Sequence, residues 1–266
     1  MVYITGDVHG DKTDPRWNWF NANLKGNDIL IITGDFGFDW DASMIEEWKS
    51  IKHNYTVLFC DGNHENYDIL NSLPTVEMFG DVVGKFDENT FRLFTGHMYI
   101  IEGKKYFVFG GASSIDKDWR IVEEMRNNSP RTLWWSDEVP SEKIFEEAKK
   151  TLEKHNWTFD CFISHTCNPQ MKKPVLKTYK SDFYDPTESM INSFEYLIEE
   201  NGGSWKHSFF GHFHKNVHYK KWHCLYGDVV DVTNGIIYKG WDDFSYPPTW
   251  EKTALDVNDE KEIVYF

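Results

Sequence analysis

Three short apolar runs near the start of the chain each break off at a glycine next to a polar residue, and their spacing constrains the fold. Val2-Tyr-Ile4 leads into Thr5-Gly-Asp7-Val-His9, Asp28-Ile-Leu-Ile-Ile32 into Thr33-Gly-Asp35, and Tyr55-Thr-Val-Leu-Phe-Cys60 into Asp61-Gly-Asn63-His64-Glu65. Residues 9, 35 and 63 lie 26 and then 28 positions apart, each interval being about one strand-loop-helix-loop unit. Between the runs, residues 14–24 and 40–52 carry Trp, Phe, Leu, Met and Ile at three- and four-residue intervals, the period of an amphipathic helix. The order β-α-β-α-β favours a parallel sheet with right-handed crossovers. All three polar clusters then fall at the carboxyl ends of neighbouring strands, the edge where α/β sheets hold ligands.

Downstream the pattern changes. Residues 76–112 are short β-like segments separated by turn signals (Phe79-Gly-Asp, Asp87-Glu-Asn, Glu102-Gly-Lys), a meander rather than a crossover. Residues 113–139 read as an insertion. A helix over about 140–155 precedes the strand Phe159-Asp-Cys-Phe-Ile163, which ends in Ser164-His165-Thr166. A second inserted loop, 168–186, precedes a helix over about 187–200, and the strand Lys206 to Phe210 ends in Gly211-His212-Phe-His214. The remainder is expected to complete a second sheet. With no internal repeat, low-complexity tract or linker, residues 1–266 are expected to form a single α/β domain.

Composition narrows the function. Asp plus Glu is 43 against 28 Lys plus Arg, a formal charge of −15, which repels long polyanions and disfavours extended nucleic acid as a partner. A small anionic substrate held by a local positive site stays open. The start has no basic segment followed by an apolar core, and no apolar run approaches the roughly 18 residues of a membrane span. Cys60, Cys161, Cys167 and Cys224 contain no Cys-x-x-Cys pair and are sparse for a disulfide scaffold. A reduced, cytoplasmic protein is expected. The oligomeric state cannot be read from the chain.

The strand-end residues are Asp7, His9, Asp35, Asn63, His64, His165, His212 and His214. Carboxylates, imidazoles and an amide oxygen suit first-row metals such as Mn, Fe, Zn or Ni, whereas Ca and Mg favour all-oxygen cages. Two cations bridged by one carboxylate could hold a phosphoryl group and a nucleophilic hydroxide together. Singly, each cluster has a plainer explanation: Asp-x-His and Asp-Gly-Asn make turns, and a lone histidine after an apolar strand is usually structural. Five such clusters at strand ends in one chain order are hard to obtain by chance.

Asp7-x-His9, Gly34-Asp35, Gly62-Asn63-His64-Glu65, His165 and Gly211-His212-x-His214 resemble the five blocks of the calcineurin-like metallophosphoesterase family, spanning residues 5 to 214. The resemblance implies a four-layer α-β-β-α sandwich with a dinuclear metal site at one end of its two sheets. It implies that Asp7, His9 and His214 bind one ion, that Asp35 bridges, and that Asn63, His165 and His212 bind the second. The ions would be two divalent or trivalent transition metals, with Mn favoured. A metal-bridging hydroxide would attack phosphorus in line while His64, which is no ligand, acts as general acid for the leaving oxygen. Glu65 could orient His64. The implied reaction is hydrolysis of a small phosphomonoester or phosphodiester, a nucleotide among the candidates. A nuclease of the same superfamily and a non-catalytic metal-binding scaffold are the alternatives.

Departures from the family narrow the substrate. Ser/Thr protein phosphatases of this superfamily carry Asp-Arg-Gly shortly after Gly-Asp and an Arg before Gly-Asn-His-Glu. This chain has Gly34-Asp-Phe-Gly-Phe-Asp39-Trp and Asp61 in those places, so two phosphate-clamping guanidinium groups are missing. Asp39 sits one residue later than the Asp that pairs with the histidine acid in those enzymes. Gly110-Gly-Ala-Ser-Ser-Ile-Asp-Lys-Asp-Trp-Arg120 with the later Trp134-Trp135 resembles segments of stand-alone bacterial and phage metallophosphoesterases and says nothing about function. Arg120 could clamp a substrate phosphate, or pair with Asp116 or Glu123 on a surface helix. Residues 168–180 hold Lys172, Lys173, Lys177 and Lys180 and no acid, either a basic mobile rim for an anionic substrate or a solvated loop. Trp119, Trp134 and Trp135 could stack on a base or belong to the core.

Overall fold

In the computed structural model the described residues are 1–37, 48, 53–127, 133–175, 183–241, 249–255 and 264–265. The expected helix over 40–52 lies outside them apart from Trp48, as do Asp39, Lys177 and Lys180.

Strands β1 (Val2–Thr5), β2 (Ile29–Ile32) and β3 (Thr56–Phe59) are parallel and in step, with Thr5 opposite Ile32 and Ile32 opposite Phe59. Helix α1 (Arg16–Asn23) crosses from β1 to β2. A short helix α2 (Tyr67–Leu70) follows β3. Then β4 (Thr75–Met78), β5 (Asp81–Lys85) and β6 (Thr90–Leu93) fold as an antiparallel meander that joins β3 through β6.

The second sheet opens with the hairpin of β7 (Met98–Ile101) and β8 (Lys104–Phe109). Next come α3 (Lys117–Asn127), inside the expected insertion, and α4 (Glu142–Lys154). They are followed by β9 (Cys161–Ser164), α5 (Pro169–Val175), α6 (Pro186–Glu200) and β10 (His207–Phe210). Helix starts follow local chemistry: the Ser141 hydroxyl accepts from Ile144 N at the head of α4, and Asp185 from Thr187 N beside Pro186 at the head of α6.

The last strands are β11 (Val217–Tyr219), β12 (Trp222–Cys224), β13 (Val229–Asp231), β14 (Ile236–Tyr238), β15 (Lys252–Ala254) and β16 (Val264–Tyr265). They correct one expectation, because they do not all complete the second sheet. β13, β14 and β15 extend the first, which runs β15-β14-β13-β1-β2-β3-β6-β5-β4, while the second runs β16-β11-β12-β10-β9-β8-β7. The chain therefore crosses between the sheets after β12, and residues 225–228 make that crossing beside the strand ends.

Consecutive apolar residues in the central strands are buried on both faces. Ile29 and Ile31 point into the layer between the sheets, where Tyr106, Val108, Ile163 and Phe209 meet them. Leu30 and Ile32 point outward beneath Trp17 and Phe20 of α1. In the second sheet Phe107, Phe109 and Phe162 face outward against Leu152 of α4 and Phe194 and Ile198 of α6. Helices thus cover the outer faces of two packed sheets, the α-β-β-α sandwich. Runs such as Ile29-Leu-Ile-Ile32 lack polar alternation because neither face of the strand meets water.

Candidate functional site

The in-step ends of β1, β2 and β3 carry Asp7, Asp35 and Asn63 to one edge. The in-step ends of β9 and β10 carry His165 and His212 to the same edge of the second sheet. His9, Asp35, His212 and His214 all have φ between +49° and +67°, a left-handed conformation that costs a non-glycine residue strain and clusters at functional sites. Two motif glycines are explained by close approach. A Cβ on Gly62 would lie 2.1 Å from Asp35 Oδ1, and one on Gly211 would lie 1.9 Å from Asp7 Oδ1. Each block is glycine where the carboxylate of another block passes.

Donor atoms converge at this edge. His9 Nε2 and His214 Nε2 are 3.0 Å apart, and His214 Nε2 is 3.3 Å from Asp7 Oδ2. Asn63 Oδ1 is 3.0 Å from both His165 Nε2 and His212 Nδ1. Asp35 spans the two groups, with Oδ2 3.8 Å from His9 Nδ1 and Oδ1 3.2 Å from His165 Nε2. Asp7, His9 and His214, and likewise Asp7, Asp35 and His165, offer one ligand atom each within 4.8 Å of one another. Asp7 is thus common to these two groups.

Backbone amides fix the carboxylates: His212 N donates to both oxygens of Asp7 and His64 N to Asp35 Oδ1. His165 Nδ1 donates to the Thr33 carbonyl at 2.8 Å, the usual second partner of a metal-binding histidine, which aims Nε2 at the site as the atom that would ligate once a cation displaces its proton.

The electrostatics of this edge call for positive charge. Asp7 and Asp35 are fully buried, and their ion pairs are with imidazoles. Burial would raise Asp35, but the facing His165, His64 and His9 outweigh it and hold the carboxyl well below its usual range. Burial pulls His165 down, yet Asp35 and Asp7 raise it to about 10. His212 is lowered to about 3 by burial, helped by the charge on His165. Two buried carboxylates with convergent imidazole and amide lone pairs make a donor set that fits a pair of borderline cations.

A family model, calcineurin-like phosphoesterase, matches residues 1–216. The chain belongs to the calcineurin-like phosphoesterase family. It is a metal-dependent phosphoester hydrolase in that family's terms, and its substrate is a phosphate ester. No curated protein matches the chain. Strands β11 to β16 lie beyond the matched residues and complete both sheets of this phosphoesterase.

Beside the donor cluster stands His64, its ring edge-on to His9 at 5.3 Å between centroids. Burial lowers it to about 4, with Arg120 adding to that effect against the pull of Asp35. Arg120 pairs with Asp116, the structural reading, and also turns toward His64. Its Nε donates to Asp116 at 2.8 Å while Nη2 lies 3.0 Å from His64 Nε2 and 3.2 Å from Nδ1. The buried guanidinium is steadied further by the Leu133 carbonyl.

Two expectations are corrected. Glu65 does not orient His64: its carboxylate accepts from Phe36 N and Gly37 N and so braces the loop after β2. Of the two described lysines of the expected basic rim, Lys172 is not free for substrate, because it is tied to buried Glu188 at 2.7 Å and to the Phe183 carbonyl. Lys173 is exposed. Trp135 belongs to the core, Trp119 is exposed, and Trp134 lies under Lys117 Nζ at 4.4 Å. Asp61 forms a buried, two-point ion pair with Arg92, Nε to Oδ1 at 2.6 Å and Nη2 to Oδ2 at 3.1 Å, and also accepts from Thr95. Where protein phosphatases have an Arg for phosphate, this chain has a carboxylate whose hydrogen bonds are spent on structure.

Sequence reasoning missed several residues that hold the site. Arg16 is buried and donates to the carbonyls of Gly6, Asp7 and Tyr226, with Asp14 as its counter-ion, clamping the turn that presents Asp7. The spacing Asp14-x-Arg16 at the head of α1 was the available signal. Tyr226 stacks on His214, centroids 4.6 Å apart and planes 13° apart. Its place in the crossing segment after β12 leaves no mark in the sequence. Ser114 and Glu138, from the insertion, contact Asn63 directly and through one hydroxyl.

Proposed function

We propose that the protein hydrolyses a small phosphomonoester or phosphodiester, with Asp7, His9, Asp35 and His214 holding one metal ion and Asp35, Asn63, His165 and His212 the other. One observation carries this: Asn63 Oδ1 stands 3.0 Å from two imidazole nitrogens at the edge where Asp35 reaches both groups. The N/O donor set favours manganese or a neighbouring first-row ion. When bound, the ions supply the positive charge that a transferring phosphoryl group needs and acidify a water as nucleophile.

The chain's own residues do the rest. Arg120, anchored by Asp116 and the Leu133 carbonyl, turns Nη2 toward His64 and binds a non-bridging phosphate oxygen there. An anionic phosphate beside Arg120 and His64 would raise the imidazole from the low value that burial and Arg120 set, so that His64 takes up a proton and passes it to the leaving oxygen. The φ-strained turns at Asp35, His212 and His214 keep the donors in place before substrate arrives. Residues 1–266 act as one domain, a reading supported by strands beyond residue 216 joining both sheets. Among the described residues no helix is long and apolar enough to cross a membrane. All four cysteines are buried thiols, which supports a reducing, cytoplasmic setting.

The test is a screen of the Mn-loaded protein on model mono- and diesters and then on nucleotides, with His64→Ala alongside. Turnover of at least one class is expected, with kcat falling about 10²- to 10⁴-fold in the variant and metal content retained. Inactivity on every class would overturn the enzyme reading, and full activity in His64→Ala would overturn the acid role.

A further inference from the structure

The two ends of the Asn63 side chain are nearly identical in shape, yet only one can face a cation. The carbonyl oxygen ligates, whereas the NH2 group would turn its hydrogens on the ion. His165 Nε2 and His212 Nδ1 both face this amide, and neither fixes its direction toward an ion, because a ligating histidine spends the lone pair of that nitrogen on the cation.

The direction is set from the other side. Asn63 Nδ2 lies 3.1 Å from Ser114 Oγ. Ser114 Oγ donates to Glu138 Oε2 at 2.7 Å, and Ser114 N donates to Glu138 Oε1 at 2.9 Å. With both carboxylate oxygens accepting, the only hydroxyl proton of Ser114 is committed to Glu138. Its Oγ has only lone pairs left for Asn63, and only the NH2 end of an amide can satisfy them. Asn63, Ser114 and Glu138 are 8%, 1% and 2% exposed, so water is a poor substitute partner. Turning the amide over would set oxygen against oxygen in a buried place, at the cost of an unsatisfied acceptor on each side.

We propose that Ser114 and Glu138 are positioning residues that fix the Asn63 amide with its oxygen toward the second metal ion. The inference rests on the dinuclear site proposed above and adds to it what the insertion is for. Arg120 and the Ser114–Glu138 pair come from the same inserted segment and engage consecutive residues, His64 and Asn63. The relay touches nothing in the Asp7, His9 and His214 group, so its effect falls on one ion of the two.

Stepwise Mn²⁺ titration of the metal-free full-length chain, with stoichiometry read by elemental analysis, tests the relay. Wild type binds two ions. Ser114→Ala and Glu138→Gln each weaken the second step by about 10- to 100-fold and leave the first step unchanged. In an Asn63→Asp background, where either carboxylate oxygen can face the ion, Ser114→Ala changes the second step by no more than about twofold. Two ions bound by wild type with an unchanged second step in both variants would overturn the relay. Both steps weakening together, or an undiminished Ser114→Ala effect in the Asn63→Asp background, would reduce Ser114 to a structural residue and overturn it too. Fewer than two ions on wild type would instead overturn the dinuclear site itself.

Discussion

Two histidine clusters sit in this molecule, and only one of them is built to bind. At the strand ends, His9, His165, His212 and His214 turn ring nitrogens toward one another and toward Asp7 and Asp35. Between the sheets, His207, His223 and His218 form a chain: His207 Nδ1 to His223 Nε2 at 3.2 Å, His223 Nδ1 to His218 Nδ1 at 3.1 Å, and His218 Nε2 to Asp228 at 2.9 Å. Lys239 closes it on the same Asp228 oxygen at 3.0 Å. The inner chain spends its nitrogens pairwise along a line, and its one carboxylate already has a cation. The outer cluster gathers several lone pairs and two buried carboxylates around common points. Convergence on common points around two buried carboxylates, rather than histidine content, separates a candidate metal centre from a hydrogen-bonded core.

The largest expected effect breaks the comparison outright. Chelator treatment should abolish turnover and Mn²⁺ should restore it, while His165→Gln lowers the bound metal and His223→Gln leaves it at the wild-type count. Elemental analysis of the two variants checks this, and equal loss in both would erase the distinction. His223→Gln should instead cost about 1–3 kcal/mol of stability in urea unfolding, because buried partners lose a hydrogen bond.

Next in size is Arg120→Ala. Loss of a charge-assisted contact to phosphate should lower kcat/KM by about 10- to 100-fold with both ions retained. Steady-state kinetics on the best ester from the screen decides it.

A smaller effect concerns acid stability. Burial first, and then Lys104 and Lys206, lower His207 to about 4, and burial holds His223 well below its usual range. These histidines accept protons more readily in the unfolded chain than in the fold. Their contribution is therefore present above about pH 6.5 and is lost as pH falls toward 4. His207→Gln should flatten the urea-unfolding free energy across that window by about 1 kcal/mol, allowing for partial solvent screening. The smallest is Lys173→Gln, which should change kcat/KM by less than about twofold, since an exposed lysine is screened by solvent and salt.

Much of the site was legible because its residues stand beside glycine in short blocks. Asp7, Asp35, Asn63 and His212 each follow a glycine, and in Gly62 and Gly211 the reason is steric: another block's carboxylate occupies the space of a Cβ. His64 and His165 were recognisable from their places after strands. Glu65 was misread because a residue next to a catalytic candidate invites a catalytic role, whereas its carboxylate binds amides 28 and 29 positions back. In the insertion only Arg120 was singled out, and the rest was passed over for the opposite reason. Ser114, Arg120 and Glu138 have no block spacing, and they matter only because the fold returns them to residues 63 and 64, more than 50 positions earlier.

By itself the sequence determined the parallel start of the first sheet, the order of the five blocks and the chemistry of their donors, because those depend on local periodicity and on residue type. Only the tertiary structure decided how the C-terminal strands divide between two sheets, since strand pairing is a choice among distant partners of similar apolar character. It also decided that Asp61 pairs with Arg92, that Arg16 clamps the Asp7 turn, and that Ser114 and Glu138 reach Asn63. A buried polar group must find a partner somewhere in the fold, and no local pattern in the chain says where that partner will be.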